Sequence, residues 1–348
     1  MYPIYPFSLA FLSALFFGSA TPISKVLLDD LTAFQLAGLL YLGAAAGVLV
    51  ILAKEGRFRF PWQMGRVNGL RLAGAVFFGG FLGPVALLLG LQLASASSVS
   101  LWLNLEMVAT AVLGHFLFKD HLTTRSWLAA GGVLLAASLL AVGEGAAGFQ
   151  AGFLVALACL FWGIDNHLTA LIDDITPAQS TFWKGLAAGS TNFLIGITLA
   201  PIIVSGSSLV VALAVGVVAY GLSIVLYITS AQHLGAIRSQ LVFSSAPFWG
   251  VLLSIVFLGE KLYPLQILAA AIFIASILTL LREQHQHQHI HEAITHEHLH
   301  RHDDGHHQHP HPQDEQGLHS HTHNHQPINH AHPHWPDLHH RHQHKPGG

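Results

Sequence analysis

Two groups of residues in this sequence could do chemistry. The first is a handful of ionisable and amide side chains inside apolar runs. Glu106 sits in LWLNLEMVAT with Asn104 two positions earlier, Asp165, Asn166 and His167 are consecutive, and Lys184 lies a turn into another apolar run. The second group is the histidines. All but four of the 27 lie from His285 onward, and only His115, His121, His167 and His233 precede them. They recur irregularly as His-x-His, in HQHQHIHEA, HEHLHRH, HSHTHNH and HHRHQH, among Gln, Asp, Glu and Pro. A purification tag would be one short unbroken run, so the tail reads as native.

The surroundings of the first group define its solvent. The chain has 348 residues, is 52% hydrophobic and only 9% charged, where soluble domains average about a quarter charged. The body is therefore expected to be an integral membrane protein. The formal net charge of −3 offers no basic field for nucleic acid. The single cysteine, Cys159, excludes a disulfide framework and a cysteine-based zinc site. No small-residue cleavage site follows the first apolar run, which reads as a retained helix.

Runs of about 20 apolar residues are long enough to cross ~30 Å of hydrocarbon as helices. Ten are expected, near 7–27, 33–53, 71–92, 97–118, 125–143, 151–171, 180–203, 209–231, 237–258 and 264–282. Lys54, Arg57, Arg59, Arg66 and Arg71 fall in the second connection, Lys119 and Arg125 in the fourth and Arg238 in the eighth; the opposite face has only Lys25 and Lys261. The bias places both termini in the cytoplasm of a multi-pass protein of the cell (inner) membrane.

The sequence also repeats. FFGSATPISKVLLDDLTAFQ at 16–35 resembles FWGIDNHLTALIDDITPAQ at 161–179, and QLASASSVSLWLNLEMV from Gln92 aligns without gaps on QHLGAIRSQLVFSSAPF from Gln232. Five spans per half is odd, so the halves enter the membrane from opposite sides, the inverted repeat of alternating-access transporters. The expected fold class is all-α, ten transmembrane helices as two inverted five-helix repeats (1–143 and 144–283), with a disordered His-rich cytoplasmic tail at 284–348.

The FWG turn at 161–163, the Asp-Asp-Ile-Thr-Pro connection and FLGEKLYPLQILAAAIFIASILTLL resemble EamA-type permeases of the drug/metabolite transporter superfamily over about residues 7–282. The resemblance implies a ten-helix permease moving small organic solutes or ions, commonly outward. The first half departs from the pattern with Lys119-Asp120-His121 where the second has Gly259-Glu260-Lys261, and the tail lies outside it.

Charged groups at membrane depth are expensive and tend to face a pathway or a partner. The candidate pathway residues are Glu106, Asn104, Asp165, Asn166, His167, Lys184 and Trp162; the bland alternatives are a structural carboxyl at Glu106 and a packing histidine at His167. Opposite Glu106 the repeat has Ala246, next to the helix-breaking Pro247. Asp165 and His167 are about 200° apart on a regular helix and cannot both face one site. Lys184 either pairs with Asp165 or snorkels to the interface. His115 and Asp120 match the His-x4-Asp pattern of membrane acyltransferases, but straddle a helix end with no accompanying lipid motif. No enzyme is expected.

In the tail, positions i and i+2 of an extended chain share a side, and imidazoles suit Zn²⁺, Ni²⁺, Co²⁺ or Cu²⁺. The candidate metal ligands are His285, His287, His289, His291, His296, His298, His300, His302, His306, His307, His319, His321, His323 and His325, with Asp303, Asp304, Asp314 and Glu315 as oxygen donors. Binding is expected at several sites without cooperative folding. No cofactor is required; Zn, Ni or Co could be bound on the tail. The expected partners are membrane lipid and a small solute or metal ion as substrate, in a monomer or homodimer.

The leading functional reading is proton-driven efflux of a divalent metal ion that the tail gathers, because acids and a histidine lie at depth beside such a tail. A purely organic-solute site would show aromatic and amide residues alone. The alternative is export of an organic metabolite or drug, with the tail sensing or buffering metal. A membrane-anchored metal-storage protein is a third reading, disfavoured because an anchor needs one helix and not ten.

Overall fold

The computed structural model describes residues 4–55, 58–118, 124–172, 174–202, 206–234 and 242–281, and the tail segments 286–291, 294–300, 319–325 and 328–333. Among the described residues the body has ten long helical stretches, besides a single 3-10 turn at Pro61–Gln63. They are α1 Ile4–Leu27, α2 Ala33–Glu55, α3 Arg66–Leu93, α4 in two pieces (Ala96–Trp102 and Leu105–Phe118) and α5 Thr124–Gly143. The second half has α6 Ala146–Ala170, α7 Pro177–Leu199, α8 built from Gly206–Val215, Gly216–Leu222 and Ser223–Leu234, α9 Ala246–Leu258 and α10 Pro264–Leu281. Seven of these are long and apolar enough to cross a membrane by length and composition alone; α9 and α10 are shorter apolar helices, and α7 carries several polar residues. Large apolar side chains such as Leu128, Leu135, Phe153, Val256 and Phe257 are exposed, a surface that lipid would cover. This is a multi-pass membrane fold.

The repeated Asp-Asp-x-Thr-x-x-Gln segment is a helix start. Thr32 Oγ1 accepts from the Gln35 amide and Gln35 Oε1 accepts from the Thr32 amide, a reciprocal capping box. At the start of α7, Thr176 Oγ1 accepts from the Gln179 amide. Both glutamines then cross between the halves. Gln35 Nε2 donates to the carbonyls of Gly196 and Ala200 at the end of α7, and Gln179 Oε1 accepts from the amide of Arg59 beyond the end of α2. α2 and α7, the second helix of each half, therefore lie antiparallel. They touch backbone to backbone: a Cβ on Gly189 would meet Leu42 N at 2.8 Å. Small residues permit that approach, and in lipid, where apolar burial drives little, close packing is what holds helices together.

Connections follow an alternating pattern. At one end Lys25 Nζ donates to the Leu91 and Ala94 carbonyls closing α3. There the Glu260 carboxylate also accepts from Ala96 N, Ser97 N and Ser97 Oγ at 2.5–2.9 Å, and Glu144 accepts from Ser95 Oγ. A cation on a helix C-terminus and acids on a helix N-terminus suit the dipoles of α3 and α4. At the other end Arg59 pairs with Asp174 at 3.6 Å, and Arg71 donates to Asn68 and the Leu171 carbonyl.

Each half carries the same two irregularities. A π-helical turn interrupts the third helix at Val76–Leu82 and at Gly216–Leu222, in the register that sets Gln92 against Gln232. The fourth helix is broken by a turn, at Leu103–Asn104 in α4 and at 244–245 before α9. Pro247 at the start of α9 foretells the second break. The first is made by Asn104, whose Nδ2 bonds the Leu101 carbonyl at 2.7 Å and so competes with the helix ladder.

The described segments of the tail lie in two paired ladders. Gln286–His291 pairs antiparallel with Ile328–Pro333, and Ile294–His300 with His319–His325. Within each of these segments the His-x-His spacing has the period of a strand. Of the candidate ligands, His285, His302, His306 and His307 lie outside the described residues, as do Lys119, Asp120, His121, Arg238 and the tail acids Asp303, Asp304, Asp314 and Glu315.

Candidate functional site

One cluster of polar side chains lies where α2, α3, α4, α6 and α7 meet. The π turn of α3 is the anchor, because a π turn frees backbone groups from the regular ladder. The Gly79 carbonyl there accepts from Tyr41 Oη at 2.6 Å and from Trp162 Nε1 at 3.0 Å, and the Gly80 carbonyl accepts from Asn192 Nδ2 at 3.2 Å. Asn192 is fully buried, and its Oδ1 has no partner among the described residues. A buried acceptor of this kind calls for a water or a ligand group.

Asp165 packs on this turn. A Cβ on Gly79 would lie 2.0 Å from Asp165 Oδ2, so only glycine leaves room for the carboxylate. Lys184 Nζ donates to both carboxylate oxygens at 2.6 Å, and Thr169 Oγ1 donates to Oδ1 at 2.8 Å. The side chains are 16% and 9% exposed for Lys184 and Asp165. Of the two placements open for Lys184, the structure shows the ion pair.

Glu106 occupies the first turn of the second piece of α4, just past the break. At the start of a helical piece a carboxylate suits the helix dipole. Asn166 Nδ2 donates to Glu106 Oε1 at 3.0 Å and approaches Thr110 Oγ1 at 3.4 Å. His167 Nε2 lies 2.9 Å from the Thr110 carbonyl. The helix geometry expected of α6 holds: Asp165 faces α7, while Asn166 and His167 face α4. Glu106 lies within electrostatic reach of Asp165, Lys184, Tyr41 and Tyr220. Asn104 is buried and holds the break in α4 through the Leu101 carbonyl.

Aromatic rings continue from the cluster. Tyr41 and Tyr220 lie 5.7 Å apart, Phe17 is 5.9 Å from Tyr220 and 5.5 Å from Phe243, and Tyr227 is 5.0 Å from Phe243. Sequence reasoning did not single out Tyr41, Asn192, Tyr220 or Thr110. A polar atom at the centre of an otherwise apolar span was the signal available for all four.

Among the described side chains, no three His, Cys, Asp or Glu converge as a metal site would require. In the body, both oxygens of Asp165 already face an ammonium.

The sequence profile described as EamA-like transporter family matches residues 5–142 and again 150–282. An uncharacterized transporter of Methanothermobacter thermautotrophicus (strain Delta H) is 21% identical over 290 residues, spanning 77% of this chain and 83% of the relative. A solved crystal structure superposes with a TM-score of 0.58 at 15% identity, over 80% of this chain and 98% of the other. At that identity the likeness concerns the fold.

Proposed function

The chain belongs to the EamA-like transporter family, and from that premise we propose a proton-exchanging exporter of a small organic solute whose His-rich tail binds divalent transition metal. Glu106 is the coupling carboxylate. A carboxylate in an apolar setting takes up a proton more readily than one in water, so proton and solute can compete for one group. Sites of this kind in inverted-repeat carriers lie at mid-membrane beside broken helices, which is the setting of Glu106. The Lys and Arg bias orients the protein in the cell membrane with both termini in the cytoplasm, where the tail meets intracellular metal.

Of the two transport readings that the sequence leaves open, the geometry favours the organic solute. The single observation that carries this is the engagement of Asp165. With Lys184 on both of its oxygens, Asp165 is not free to share an ion with Glu106, whose described hydrogen-bond partner is the Asn166 amide. Zn²⁺ and Ni²⁺ prefer several nitrogen or anionic oxygen ligands, whereas Asn166, Asn192, Tyr41 and Tyr220 suit a solute with hydrogen-bonding groups and an apolar body.

The test uses everted membrane vesicles with an acid interior and a pH-sensitive dye. Fractionated cell metabolites should release protons from vesicles holding the parental protein and not from vesicles holding Glu106→Gln. Proton release by Zn²⁺, Ni²⁺ or Co²⁺ alone, dependent on Glu106, would instead establish the metal-efflux reading.

A further inference from the structure

The tail strands show more than a periodic composition. Both ladders keep one register, so that Gln286 lies opposite Pro333 at one end and His300 opposite His319 at the other. In that register histidine faces histidine five times: His287 with His332, His289 with His330, His296 with His323, His298 with His321 and His300 with His319. A slip of one residue would place each of these positions in 286–300 opposite Pro, Ala, Asn, Thr, Ser or Leu. Alternate positions of a strand share a face. Positions 296, 298 and 300 therefore share one face with 323, 321 and 319, and 287 and 289 share one with 332 and 330.

Directly opposed positions are about 5 Å apart across an antiparallel pair, and positions two apart along a strand are separated by about 7 Å. Four histidine positions at the corners of such a patch lie within the span over which imidazoles can share one ion at ~2.0–2.1 Å. We infer that the two arms of the tail close on divalent transition metal, one ion in each ladder. Each ion is held across the strands by two histidines from each arm: His287, His289, His330 and His332 in one ladder, and four of the six facing histidines in the other. This rests on the reading of the tail as metal-binding and goes further, since a flexible chelating tail would use neighbouring histidines of one arm.

The energetics point the same way. A two-stranded ribbon is marginal in water without a packed face, and this one offers only isolated residues such as Ile290, Ile294 and Leu299. An ion bound across both arms contributes its binding free energy to closing them. Metal binding and hairpin formation then become one event, contrary to the expectation of binding without cooperative folding.

The experiment is a double-mutant cycle on the full chain in lipid nanodiscs, titrated with Zn²⁺ at neutral pH. The outer ladder isolates one site. His287→Gln/His289→Gln removes one arm's pair, His330→Gln/His332→Gln the other's, and a fourth protein lacks both. Cross-strand ligation predicts that either pair change removes one tight ion per chain and that the combination removes no more. In parallel, spin labels at Gln288→Cys and Ala331→Cys, which lie opposite each other, should approach to roughly 10 Å or less when Zn²⁺ is added, on the strand spacing just given. Losses that add, with no change in label distance, would overturn the cross-strand sites while leaving a metal-binding tail. No Zn²⁺ binding by the parent would sink both.

Discussion

Lys184→Met should destabilise the protein far more than a loss of one surface charge would. The ammonium lies 2.6 Å from both oxygens of Asp165, and both side chains are largely buried. Removing it leaves a carboxylate against the π turn of α3 with one remaining described donor, Thr169. Breaking a buried pair by deleting one partner costs about 3–5 kcal/mol, whereas removing both charges is often close to neutral. The double change Asp165→Asn/Lys184→Met is therefore expected to recover most of that loss, giving a coupling of at least ~2 kcal/mol. Reversible unfolding in mixed detergent and SDS micelles measures the cycle, with purified single and double variants compared under one condition. If Lys184→Met unfolds with the parent, or if the two single losses simply add, the pair does not stabilise the junction of α6 and α7 and the reasoning fails.

Other outcomes follow from single contacts. Gly79→Val should lower stability by about 1–3 kcal/mol, the usual cost of overpacking, because a side chain there collides with the pinned Asp165 carboxylate; the same unfolding assay reads it. A reporter fused after Arg282 that is active only in the cytoplasm should be active, and periplasmic activity would show that the orientation is inverted. Zn²⁺ affinity of the tail should fall steeply below about pH 6, since protons compete for imidazoles with a reference pKa of ~6.5; calorimetry with unchanged affinity at pH 5 would exclude histidine ligation.

The ten helical stretches were legible because span length and apolar composition are set by the bilayer. Glu106 and Asp165 stood out for the same reason, since charge at depth is rare. Pro247 marked the break before α9 by its own backbone chemistry. The break at Leu103–Asn104 did not show, because Asn104 reads as one more polar residue until its side chain is seen on the Leu101 carbonyl. Tyr41 was opaque for a related reason, and Trp162, though a candidate from the sequence, gave no hint of what it shares with Tyr41. Their shared partner is the Gly79 carbonyl, exposed by a π turn that Phe-Phe-Gly-Gly does not announce. The Thr-x-x-Gln repeats were visible as similarity, but their capping role needed the hydrogen bonds.

The central claim is that Glu106 exchanges a proton for the solute, and proton flux in reconstituted vesicles measures it most directly. Glu106→Gln keeps the side-chain volume and the partnership with Asn166, so the protein should fold and insert normally. Solute-dependent proton release, measured at several external pH values, should vanish in this variant, while deletion of residues 285–348 should leave the release intact. Parental rates with parental pH dependence in Glu106→Gln would contradict the account and reduce Glu106 to a packing residue.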